Sequence, residues 1–209
     1  MLEAKQSNNK KPDTQTKILD AACEEFAEFG LAGARVDRLA KKAGVNKAMI
    51  YYHFGSKEKL YQAIIDQHFE RMYQISIMAD YGSSDFETII ANLARNIHLL
   101  FDGREKFIPI FLREIASGGE YFTKGMVKVM NESGYVKRLL NLIDEGKNTG
   151  VLRDINTKQA IASYLGMNIL YQLTAPVFNA VWEVNNEDEF RKKRPETVAD
   201  LFLNGIKAK

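Results

Sequence analysis

Seven consecutive residues, Lys47 to His53, place Lys47, Ala48, Met49, Tyr51, Tyr52 and His53 side by side. Lysine can donate to guanine O6 or N7 in a major groove, and Ala48 and Met49 can touch a thymine methyl. Tyr52 can stack on, or hydrogen-bond to, a base or sugar. These four (Lys47, Ala48, Met49, Tyr52) are candidates for reading sequence. Arg35, Tyr51, His53 and Lys57 are candidates for positioning on phosphates, which is a separate task. Arg35 stands at the start of one helix and His53 at the end of another. Lys57 stands where the free N–H groups and dipole of a third helix also attract an anion. The chemistry implied is non-covalent recognition of nucleic acid. Each residue also has an ordinary reading: Tyr51 as packing, His53 as a helix-end histidine, and Lys41, Lys42 and Lys59 as solvated charges.

Two short helices must hold these side chains. Val36, Leu39, Ala40 and Ala43 recur at helical spacing on one face. Gly44 follows them, where a helix-ending residue must tolerate a left-handed backbone. Asn46 can then cap a second helix. This is helix-turn-helix spacing, with Val45, Ile50 and Phe54 expected to face the core. Ahead lies an amphipathic helix, about Asp13–Phe29, with Ile18, Leu19, Ala22, Phe26 and Phe29 on its inner face. Behind, a fourth helix starts after Ser56 and reaches toward Asp80.

The combination of F-x-x-x-G at Phe26–Gly30, Ala43-Gly44-Val45, Tyr51-Tyr52-His53-Phe54 and Ser56-Lys57-Glu58-Lys59-Leu60 resembles the TetR family of bacterial transcriptional regulators. The similarity spans roughly residues 14–65. Where that family usually has threonines, this chain has Ala34 and Arg35; arginine cannot cap a helix but is the better phosphate partner. Asn46 and Ala48 stand where serine and glycine are common. The resemblance implies a homodimer, joined through the last two helices, on a palindromic double-stranded DNA operator. It also implies a second domain that senses a small, mainly apolar or aromatic ligand. Repression relieved by that ligand is the commoner mode, with the fourth helix as lever. The alternatives are a regulator without a small-molecule effector, and an activator.

Charge supports the placement. Net charge is only +2 over 209 residues. Yet residues 32–60 hold seven basic side chains and two acidic ones, the electrostatic footprint of a DNA-binding face. The single cysteine, Cys23, excludes an internal disulfide framework; it reads as a buried thiol or a redox sensor. The polar start (MLEAKQSNNKKPD) reads as a flexible arm without a signal peptide, where Lys5, Lys10 and Lys11 are solvated or reach phosphates. No apolar run suits a membrane span, so a cytoplasmic protein is expected. No nucleophile motif, zinc motif or phosphate loop is present, so no catalytic residue, metal or cofactor is expected. His53, His68 and His98 are too scattered to suggest a metal site.

The pattern predicts an all-α chain of about nine helices, divided into residues 13–62 and 63–209. Beyond a turn at Tyr81–Asp85, helices are expected over about Phe86–Phe101 and then over a segment carrying Phe107, Ile110, Phe111 and Ile115. A long one follows over Tyr121–Asn148, weakened by Gly125 and Gly134. An almost uncharged one begins near Thr157 and is kinked or interrupted by Pro176. The last spans Pro195–Lys207, after a charged connector from Asn185 to Arg194. The uncharged eighth helix needs cover on more than one side, from a partner subunit or from its own core. Candidate ligand-pocket residues are Phe101, Phe107, Phe111, Tyr164, Asn168, Tyr171 and Gln172, aromatic walls with a few polar groups; ordinary core packing is the alternative.

Overall fold

The computed structural model describes residues 13–78 and 86–208. The N-terminal arm with Lys5, Lys10 and Lys11, and the turn at Tyr81–Asp85, lie outside the described residues. The described chain is all-α, with ten helices rather than nine: α1 (Thr14–Gly33), α2 (Val36–Ala43), α3 (Lys47–Phe54), α4 (Lys57–Met78), α5 (Phe86–Phe101), α6 (Ile108–Ala116), α7 (Glu120–Ser133), α8 (Tyr135–Asn148), α9 (Thr157–Val181) and α10 (Glu187–Ile206). A 3-10 turn, Glu105–Phe107, precedes α6. The chain divides into two compact units, the first ending at Ile64 and the second beginning at Ile65, so the boundary falls inside α4.

The first unit is built around Ile18, Ala22 and Phe26 of α1, Leu39 and Ala40 of α2, Ile50 of α3, and Leu60 and Tyr61 of α4, all buried. Phe26 meets Tyr61 edge to face at 5.1 Å. Gly44 ends α2 in the left-handed conformation (φ 65°, ψ 35°), which only glycine adopts without cost. Asn46 caps α3 by accepting from the Ala48 N–H at 2.9 Å, and the Ser56 hydroxyl accepts from Lys59 N–H at the start of α4. Phe29, expected inside, is exposed. Helical geometry breaks just after it at Gly30 (φ 65°, ψ 177°), and its ring carries the Arg38 guanidinium at 4.0 Å.

In the second unit α5, α9 and α10 pack together, burying Ile90, Ala94, Ile97, Tyr164, Val198 and Phe202 in one core. Two expected helix bounds are redrawn, at Gly134 and at the start of α10. The long helix is two, parted at Gly134, whose φ of 62° no helix interior accepts. Gly125 stays helical, and its missing Cβ leaves room for the Phe69 ring. Pro176 lies inside α9 without interrupting it. The charged connector is itself helix: Asn186 caps α10, accepting from Glu189 N–H at 3.1 Å, and Glu187, Asp188 and Glu189 fill the first turn, where acidic groups meet the positive end of the dipole. Pro195 is therefore an interior residue of α10. On α6, Pro109 sits in the first turn. Phe107, Ile110 and Glu114 face inward there, while Ile115, 57% exposed, does not. The Glu114 carboxylate instead caps α7, accepting from Tyr121 N–H at 2.7 Å.

Candidate nucleic-acid interface

With Ile50 buried, the opposite side of α3 faces solvent. Lys47 and Ala48 are exposed; Met49 is 38%, Tyr51 44% and Tyr52 82% exposed. Six of the eight α3 residues are apolar or aromatic, yet one of them is buried in full. Exposing that much apolar surface on so short a helix is unfavourable unless a partner covers it. Val45 and Phe54 are half-buried rather than fully inside. The His53 Nε2 is covered and has no hydrogen-bond partner. Its ring stands edge to face against Tyr52 at 5.2 Å.

The cations are unevenly committed. Lys47 Nζ pairs with Asp37 of α2 at 2.9 Å, and its hydrogen bond to that carboxylate holds the ammonium above its usual pKa. Lys57 Nζ donates to the Ala34 carbonyl at 3.3 Å, tying the α1–α2 link to the start of α4. Lys42 pairs with Glu24 at 3.5 Å. Arg38 is held by Glu25, whose carboxylate is buried. The Glu25 Oε1 also accepts from the Arg35 backbone N–H at 2.9 Å. Burial opposes its ionisation, but the bonds from Arg38 and from the Arg35 N–H hold it below the usual carboxylate range. The Arg35 side chain is exposed. In the sequence Glu25 is one of four acidic residues on the first helix, with nothing local to name its partner.

Residues 18–64 match the family model of the bacterial regulatory proteins, tetR family. The chain is 30% identical over 142 residues to the HTH-type transcriptional repressor SCO4008 of Streptomyces coelicolor, covering 68% of each protein. The chain belongs to the TetR family. It is also 26% identical over 196 residues to the HTH-type transcriptional repressor NicS of Pseudomonas putida, covering 93% of this chain and 92% of that one. Its fold matches the fatty acid degradation regulator FadR of Bacillus halodurans with a TM-score of 0.67 at 22% identity, over 90% of this chain and 97% of that one. TetR-family proteins are DNA-binding transcriptional regulators, not enzymes. No described helix is long and apolar enough to cross a membrane.

The seven pocket candidates of this TetR-family chain fall in separate places. Phe101 and Phe111 meet at 5.8 Å. Phe107 and Phe111 both approach Phe122, at 6.0 and 4.9 Å. His68 belongs to this nest, stacked on Phe107 at 4.1 Å, yet sequence reasoning passed over it as a pocket residue. Its register with Leu60 and Ile64 on α4 is the signal that places it inside. Tyr164 instead donates its hydroxyl to the Ile90 carbonyl at 2.6 Å, and Asn168 donates to the Tyr164 carbonyl at 2.9 Å. Tyr171 donates to Asn179 Oδ1 at 3.2 Å, and Gln172 Nε2 lies 3.2 Å from His98 Nδ1. These polar groups are engaged within the fold. His68 Nδ1 is buried and without a hydrogen-bond partner. Desolvation, with repulsion from Arg104 and Arg71, pushes its pKa down to about 4.

Proposed function

We propose that this chain is a homodimeric repressor that reads a near-palindromic operator through α3 and is released by a small, mainly apolar or aromatic ligand bound in the second unit. The observation that carries the DNA reading is the exposed run Lys47, Ala48, Met49, Tyr51 and Tyr52 on a helix fixed by its Asn46 cap and its buried Ile50. Lys47, Ala48, Met49 and Tyr52 address bases; Arg35, Tyr51, His53 and Lys57 address phosphates. One such head binds weakly, and two related by a dyad, spaced about one DNA turn (~34 Å), read a palindrome.

Support for the dimer comes from α9 and α10. Leu170, Val177 and Val181 on α9 and Leu201 on α10 are each more than half exposed. The uncharged part of α9, from Ser163 to Val181, thus has one covered face and one open apolar face. A cleft of about 400 Å³ is lined by Ser163 and Met167 of α9, Leu201 and Gly205 of α10, and Arg153 and Ile155 of the segment ahead of α9, among others. Support for the ligand comes from the aromatic nest of Phe101, Phe107 and Phe111 around His68, whose Nδ1 is buried there without a hydrogen-bond partner. Release follows when the ligand binds more tightly to a conformation that DNA does not accept. The lever is α4, which carries Lys57 at its start and His68 eleven residues on. A regulator without an effector is the second reading, favoured by the self-satisfied polar groups of Tyr164, Asn168, Tyr171 and Gln172.

Selection of DNA from a random-sequence library tests the proposal. It should return a near-palindrome bound by two chains per duplex in sedimentation. An asymmetric site bound by one chain would refute it.

A further inference from the structure

We propose that Glu25 positions the DNA-reading head by fixing the backbone from which Arg35 reaches a phosphate. The proposal rests on the phosphate contact assigned to Arg35 above. Among the described residues of the first unit, Glu25 is the one buried charge, 1% exposed. One oxygen, Oε1, accepts from Arg35 N–H at 2.9 Å, Arg38 Nε at 2.9 Å and Arg38 Nη2 at 2.6 Å. Arg35 is the N-cap residue of α2, and no side chain caps that helix end. In an ordinary capping box the third helical residue is a glutamate that reaches back to the N-cap N–H. Here that third residue is Arg38, which cannot accept. The accepting carboxylate comes from α1 instead, and Arg38 pairs with it.

The same guanidinium fastens the link between α1 and α2. Arg38 Nη2 donates to the Gly33 carbonyl at 3.0 Å, and the group lies 4.0 Å over the Phe29 ring. Lys57 holds the Ala34 carbonyl from the other side. Gly33, Ala34 and Arg35 are thereby held at three successive residues, and the Arg35 side chain projects from the last of them. Arg38 is committed to these contacts within the fold. The pair is only half-buried, with Glu25 covered and Arg38 40% exposed, and such a pair is a poor source of stability. What it supplies is a fixed direction, and Arg35 is the group whose direction it fixes.

The test is a salt titration of binding to a duplex selected by the wild-type protein from a random library. Arg35→Ala should lower the slope of log K against log salt by about one per half-site. Glu25→Leu, which keeps the volume but removes the acceptor, should lower it equally, and the double variant should match either single one. A Glu25→Leu protein that melts at a different temperature but keeps the wild-type slope and affinity overturns the proposal, as do additive effects in the double variant. If Glu25→Leu does not fold, Glu25→Met, which also removes the acceptor, takes its place in the same cycle with the same outcomes. An Arg35→Ala without effect removes the phosphate contact itself, and the positioning proposal with it.

Discussion

Acid should unfold the second unit early, and His68 should be the main reason. Its side chain is 4% exposed, stacked on Phe107, and unpartnered at Nδ1. Its pKa falls from 6.5 to about 4 through desolvation and the nearby Arg104 and Arg71. The folded pKa lies below the unfolded one, so the unfolded chain takes up this proton first as pH falls. Stability is therefore lost progressively from about pH 6.5 downward, levelling off below about pH 4. Between pH 7 and pH 5 the loss works out to about 2 kcal/mol for this one group. Burial lowers the pKa of His98 in the same direction, so other groups add to the background. His68→Leu isolates the term, because leucine fills a similar volume and cannot titrate. The single tryptophan, Trp182, stacks on Phe178 at 4.7 Å in the same unit and reports its unfolding. Urea denaturation followed by its fluorescence at pH 7 and pH 5 should show a pH sensitivity about 2 kcal/mol smaller in His68→Leu than in the wild type. Equal sensitivity in both would refute the reasoning.

Asp37→Asn frees Lys47 from its ion pair and removes a negative charge beside the reading helix. DNA affinity should rise by a factor of about two to five with little change in melting temperature, as expected for an exposed pair; fluorescence anisotropy showing weaker binding would contradict this. Gly125→Ala drives a methyl into the Phe69 ring, which is itself packed on Phe122 at 5.4 Å. Overpacking costs about 1–3 kcal/mol, against a gain of about 1 kcal/mol in helix propensity, so calorimetry should show a lower melting temperature; a higher one would mean that Phe69 moves freely.

The reading head was legible because its signals are local. Gly44, Asn46 and Ser56 each act within a few residues of where they stand, and the structure uses them as spaced. The span of α5, Phe86–Phe101, was equally plain, since Asp102 and Gly103 follow it as a local stop. What sequence reasoning lost depended on distant partners. Gly125 and Gly134 look alike in the chain; one stays helical and makes room for Phe69, the other breaks the helix. Pro195 drew the start of α10 too late, although Asn186 and Glu189 stand at capping-box spacing. Glu25 lies in register with Ala22 and Phe26, which puts it on the inner face, but nothing local names Arg38 as its partner. The second unit's polar candidates were drawn as one pocket. Tyr164 and Tyr171 bond instead to Ile90 and Asn179, pairings that only the folded chain defines.

The central claim is that α3 reads sequence. Anisotropy titrations of a duplex selected by the wild-type protein, and of an unrelated duplex of equal length, compare the wild type with the Lys47→Ala/Tyr52→Ala variant. The account predicts that the variant loses its preference for the selected duplex, by at least about tenfold, while salt-sensitive binding to both duplexes persists. A variant that still prefers the selected duplex as strongly as the wild type would contradict it.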